Sequence, residues 1–211
     1  MSKPSDNNFS EAHERANAWS HGVGAAGALA MFPIFWAKFS YFRELHFSIY
    51  LYFFSILFML VSSTAYHAVK KPSLKPRLRI FDHIAIFFVI GGTTLPFVVQ
   101  FASPDKAHIF AISQWTLIGL GSILKIFFTG RFRLFSSIIY ILIGAMVLTL
   151  GADFWSSIPD FSFYAILAGG LLYLIGVYFY QNRKVPYNHF IWHLFVLAAL
   201  FVQAWGMYRM V

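Results

Sequence analysis

The sequence predicts an all-α integral membrane protein: a bundle of seven transmembrane helices, N-terminus cytoplasmic and C-terminus outside. Three observations predict it. Hydrophobic residues make up 59% of the 211-residue chain and charged residues 11%, whereas soluble domains carry about 25% charged residues. The apolar residues fall in seven nearly charge-free runs, at about 17–39, 47–69, 80–101, 108–128, 134–151, 161–180 and 189–208. Each is close to the ~20 residues that cross a hydrocarbon core as a helix. Stretches such as "YLYFFSILFMLV" (50–61) show no polar face at helical spacing, which excludes a soluble bundle. The short alternating segments of a barrel are missing as well.

Taken in order, residues 1–16, "MSKPSDNNFSEAHERA", form a short polar cytoplasmic segment, and residues 17–211 form one transmembrane domain. The polar segment lacks the apolar stretch and cleavage site of a secretory signal, so the first span is expected to direct insertion. That span carries the small-residue run "GVGAAGALA" (22–30), which permits close helix contact. The second span closes on "SSTAYH" (62–67), and the basic connection "KKPSLKPRLR" (70–79) leads to the third. In the third, "GGTT" (91–94) precedes Pro96, an interruption tolerated where neighbours satisfy the freed backbone groups. Lys125, near the end of the fourth span, is expected to snorkel to the inner surface. The fifth span is followed by an outer connection whose charges are Asp153 and Asp160. The sixth contains "AGG" (168–170), and "NHFIWH" (188–193) opens the seventh.

Lysine and arginine in short connections favour the cytoplasm. With the N-terminus inside, twelve of the sixteen fall on the inner side, five of them in 70–79; Lys38, Arg43, Lys106 and Arg209 fall outside. The net charge of +8 therefore follows topology and is no nucleic-acid footprint. The partners expected are membrane lipids, and nothing in the sequence specifies an oligomer. Cysteine is absent, which excludes disulfides and thiolate metal ligands.

This orientation, derived from lysine and arginine alone, puts the intramembrane polar groups in one layer. Asn17 and His21 open the first span, Ser63 and His67 close the second, Asp82 opens the third, and His189 and His193 open the seventh. Ionisable groups inside spans are costly and point to function. Ser63 and His67 are i, i+4 and share a helix face, as do His189 and His193. Two histidines on one face plus a third from another helix suit zinc, with the fourth position left to water in a catalytic site. "HFIWH" lacks the glutamate of the H-E-x-x-H zinc proteases. Proton transfer then falls to Asp82, the one acid of this layer inside a span. His83 lies about 100° from Asp82 around the helix and is expected at the interface, and His13, His46 and His108 at the surface.

"ERANAWSHGVG" (14–24), "SSTAYH", "FDHIAIFFVIGGTTLPF" (81–97) and "NHFIWHLFVL" (188–197) occur in this order along the chain. In these motifs the chain resembles the bacterial hemolysin III-type members of the progestin and adipoQ receptor family, which includes the adiponectin receptors. The resemblance covers essentially the whole chain. It implies a multi-pass protein of the bacterial cell membrane with one zinc ion near the cytoplasmic face, held by His67, His189 and His193. It further implies Asp82 as the residue that holds or deprotonates the reacting water, with Ser63 beside it. The family is similar to alkaline ceramidases, so the implied chemistry is hydrolysis of a lipid amide, with a link to membrane-lipid homeostasis. One departure is Gln203, where many bacterial members carry a further histidine; no effect on the zinc is expected.

Two other functions fit the same sequence. One is a non-enzymatic membrane sensor or regulator with a structural zinc. The other is a cytolytic, hemolysin-type protein, which the confinement of ionisable groups to one level disfavours.

Overall fold

The computed structural model describes residues 4–211, with side chains from Glu11 onward. The described residues form eight α-helices and no strand. They are α1 (Pro4–Phe39), α2 (His46–Ala68), α3 (Lys75–Phe101), α4 (Pro104–Phe128), α5 (Arg133–Ala145), α6 (Ala152–Ser157), α7 (Asp160–Gln181) and α8 (Asn188–Tyr208). Short 3-10 turns at Arg43–Leu45 and Met146–Leu150 precede α2 and extend α5. Seven segments are long and apolar enough to cross a membrane, in the order expected from the seven apolar runs.

Two local features go beyond the sequence expectation. The polar segment 1–16 is already helical from residue 4 and continues unbroken into the first span. Its polar residues have a reason to be there, because Glu14, Asn17 and His21 recur at i, i+3 and i+7 and share one helix face. That face turns inward: Asn17 and His21 are buried. The fifth span keeps its expected extent, Arg133–Leu150, but changes from α-helix to a 3-10 turn at Met146 before Gly151 at φ 85°. The short helix α6 follows.

Six helices form a ring in the order α1, α2, α3, α5, α7, α8, closed by contact of α8 with α1. Helix α4 stands outside it, packed on α3 and α5. Without a hydrophobic force between helices in lipid, close packing and interhelical hydrogen bonds hold such a bundle. Gly92 lets α3 press on α2: a methyl group there meets Ser55 Oγ at 2.6 Å and the Leu51 carbonyl oxygen at 3.3 Å. Thr94 donates to Gln114 Oε1 (2.8 Å), and Gln114 donates to the Ile143 carbonyl (3.2 Å), joining α3, α4 and α5. Ser162 donates to the Gly206 carbonyl (2.7 Å) and joins α7 to α8.

The ends of these helices position the polar layer. Asn188 donates to the carbonyls of Phe179 and Tyr180, both at 3.2 Å, satisfying acceptors that the end of α7 leaves free. Tyr187 before it is left-handed at φ 55°. This turn fixes where α8 begins, and so where His189 and His193 stand. The C-terminal turn of α2, the first turns of α3 and α8, and the inward face of α1 meet at one end of the bundle. The connection 70–79 lies there too, so this is the basic end.

Candidate metal centre

His67 of α2 and His189 and His193 of α8 converge. His189 Nε2 lies 3.2 Å from His67 Nε2 and 3.1 Å from His193 Nε2. His67 and His193 are buried, at 5% and 2% exposure, and His189 is half-buried. Each ring offers one ligand atom, and the three atoms lie within 4.8 Å of one another.

The hydrogen-bond chemistry says what belongs between them. His67 Nδ1 lies 3.3 Å from Glu14 Oε2, an acceptor, so Nδ1 carries a proton and, in the neutral ring, Nε2 keeps its lone pair. His193 Nδ1 lies 3.2 Å from the Asn17 carbonyl oxygen, so its Nε2 is an acceptor as well. His189 Nε2 faces both and can donate one hydrogen at most. At least one nitrogen pair would therefore meet lone pair to lone pair. A cation satisfies all three. With zinc–nitrogen bonds of about 2.0–2.1 Å, tetrahedral ligands stand roughly 3.4 Å apart, close to the two separations from His189 Nε2. The residues fit a metal ion.

Around the triad, α1 supplies the groups that fix the rings. Glu14 also bonds Lys75, which anchors the carboxylate that orients His67. Ser20 Oγ, 3.1 Å from His193 Nδ1, donates to the same Asn17 carbonyl (2.9 Å). His21 stacks on His193 with centroids 3.7 Å apart and planes inclined by 7°. Metal-bound histidines depend on such partners for tautomer and orientation. Glu14 opens the motif 14–24, but nothing in the sequence assigns it to the site, because it sits in a stretch that reads as a polar cytoplasmic segment.

The triad heads a cavity of about 960 Å³ inside the ring of helices. Asp82, half-buried, faces it and lies close enough to Ser63 and His67 to interact with both. Ser63 is buried on the same face of α2 as His67, and its hydroxyl makes no hydrogen bond in this geometry. Away from the histidines the lining turns apolar, with Met59, Val89, Val147, Leu171 and Leu174. Gln203 lines it about 15 Å further along α8 than His193, well away from the triad. Leu148, Leu167 and Leu171 line the cavity and are also 44–61% exposed on the outer surface. The cavity therefore opens sideways between α7 and the turn that follows α5.

Three expectations change. Lys125 turns inward instead of snorkelling, 7% exposed, with Nζ donating to Ser136 Oγ at 2.5 Å. His83 lines the cavity beside Asp82, and Tyr140 donates to its carbonyl at 2.9 Å. His13 is no ordinary surface residue, since its ring lies 3.9 Å from that of Tyr187 at the cavity mouth. The first two depart from expectation because the ring of helices offers an interior polar space that single-helix geometry does not reveal.

The family described as Haemolysin-III related matches residues 9–204. The chain belongs to that family. Among its relatives is the Hemolysin-3 homolog of Bacillus subtilis (strain 168), 33% identical over 92% of this chain and 93% of its own. Hemolysin-3 of Bacillus cereus is 35% identical over 88% of this chain and 85% of its own. A more distant one is the human Monocyte to macrophage differentiation factor, 26% identical over 72% of this chain and 65% of its own. With seven membrane-length helices, this haemolysin-III-related chain is a multi-pass bacterial membrane protein, and its buried histidine group can hold a metal ion.

Proposed function

We propose that this protein is a zinc-dependent hydrolase of membrane lipid amides, ceramidase-like and serving membrane-lipid homeostasis. Its basic end, with the N-terminus and the metal site, faces the cytoplasm. The observation that carries the reading is the placement of three convergent histidines at the polar head of a lipid-sized cavity open to the side.

Zinc, when bound by His67, His189 and His193, polarises a carbonyl as a Lewis acid and lowers the pKa of water. Glu14 is engaged by His67 and Lys75, and Asp82 is the other carboxylate of the cavity, beside Ser63 and His67. Asp82 takes a proton from the attacking water and returns it to the leaving amine. The amide C–N bond breaks, a C–O bond forms, and one water yields a fatty acid and an amine. The Ser63 hydroxyl is available to the substrate oxygen or to Asp82. A lipid enters between α7 and the turn after α5, with its acyl chain against Leu171 and Leu174. The test is zinc-dependent release of fatty acid from ceramide-like amides by purified protein. Protein that holds zinc yet turns over no member of a broad lipid-amide panel contradicts the proposal.

A non-enzymatic sensor or regulator with a structural zinc is the second reading. It is favoured by the way an ion at this site ties α2 to α8, with α1 bracing both. In that case Asp82→Asn leaves metal content and cellular function unchanged.

A further inference from the structure

The basic end of the cavity carries charge that the hydrolytic site does not use. Arg79, Lys125, Arg131, Arg133 and Arg183 line it, against two carboxylates, Glu14 and Asp82. Among the described residues, none of these five cations has a carboxylate within salt-bridge distance. Topology accounts for basic residues in the connections but not for a buried one. Lys125 is the one residue of α4 that lines the cavity, reaching inward from outside the ring. Its Nζ bonds the neutral Ser136 hydroxyl and lies 5.4 Å from the centre of the Tyr140 ring. The Arg133 guanidinium carbon lies over Tyr180, 3.7 Å from the ring centre, and its Nε is buried with no hydrogen-bond partner. Arg79 reaches from α3 to the α4–α5 turn, where Gly130 at φ 83° leaves room: a methyl group there meets the guanidinium at 2.8 Å. Three helices thus bring like charges to one space, with Lys125 buried, Arg133 half-buried and Arg79 exposed. For the buried lysine this is costly unless an anion lies beside it.

We infer that Lys125, Arg133 and Arg79 form a binding site for the phosphate of an anionic phospholipid whose acyl chains occupy the apolar cavity behind it. Arginine and lysine suit phosphate for different reasons, the planar fork for two oxygens and the ammonium as a point charge. Basic pockets between transmembrane helices are recognised phospholipid-headgroup sites. The inference rests on the lipid part of the proposed function. It narrows the lipid class to amphiphiles with a phosphate near the metal centre.

The test is titration of the purified protein, metal retained, in neutral detergent, with the rise in melting temperature as readout. The probes are phosphatidylglycerol, diacylglycerol with the same chains, and inorganic phosphate. Phosphatidylglycerol has no amide, so the titration reads binding without turnover, and a failed hydrolase reading leaves its outcome untouched. Phosphatidylglycerol is expected to stabilise the protein, and diacylglycerol and inorganic phosphate to do so far more weakly. Lys125→Met and Arg133→Gln are each expected to raise its half-saturating concentration about tenfold, the scale of one lost charge-assisted contact. Lys71→Gln, exposed at the same end of the bundle, is expected to leave it unchanged. Should Lys125→Met fail to fold, Arg133→Gln and the probe comparison still decide. An equal loss in Lys71→Gln would reduce the effect to diffuse surface attraction. Equal binding of diacylglycerol removes the headgroup site, and equal binding of inorganic phosphate makes it a free-anion site. Each of these three results overturns the inference.

Discussion

Glu14 Oε2 stands 3.3 Å from His67 Nδ1, and Lys75 holds the same oxygen. A residue from the polar start of α1 therefore sets the tautomer of a candidate metal ligand on α2. Glu14→Ala is expected to weaken zinc binding about 10–100-fold, the usual cost of losing a partner behind a ligand histidine. Lys75→Ala should cost less, because the carboxylate remains. Competition for zinc with a calibrated chelator measures both, and unchanged affinity in Glu14→Ala contradicts the assigned tautomer.

Asp82 and the histidines separate in function if Asp82 moves the proton. Asp82→Asn keeps the shape and loses the base. It is expected to retain one zinc per chain and to lose roughly 10²–10⁴-fold in amide hydrolysis, the range general-base catalysis supplies. Activity within a few-fold of wild type removes Asp82 from the mechanism.

The cytoplasmic placement of the basic end is open to a clean test because the chain has no cysteine. Lys71→Cys and Lys106→Cys place single thiols at opposite ends of the bundle, in front of α3 and in the first turns of α4. In intact cells a membrane-impermeant maleimide is expected to label the second and spare the first. The reverse pattern inverts the topology and moves the metal site to the outer face.

Helix packing gives a prediction independent of the metal. Gly92→Ala drives a methyl group to 2.6 Å from Ser55 Oγ. Overpacking of this kind costs about 1–3 kcal/mol, so the melting temperature in detergent should fall. Ser55→Gly in the same chain should restore it, since both near contacts on Ser55 are side-chain atoms. Failure of the double variant to recover means that the backbone of α2, at Leu51, sets the limit.

How far the sequence reports this architecture depends on how local each feature is. Seven apolar runs locate seven spans because chain length and hydropathy alone decide which segments cross a bilayer. His189 and His193 pair on one face by helical periodicity, and the layer holding His67 and Asp82 follows from topology. Glu14 is invisible by these criteria, since its polar neighbours suggest a tail and its partners lie 53 and 61 residues away. Lys125 is misread because snorkelling is the default for a lysine at a helix end, and only the position of α5 beside α4 gives it an inward partner in Ser136. The change from α-helix to 3-10 turn at 146–150 leaves hydropathy unaltered, so the apolar run does not reveal it.

The central claim is that the three histidines hold a metal ion. It is tested most directly by the metal content of the purified protein, wild type against His193→Ala, measured by elemental mass spectrometry. About one zinc per wild-type chain is expected, and its loss from a His193→Ala protein that remains folded. A wild-type protein that binds no metal, or a variant that keeps its full zinc complement, contradicts it.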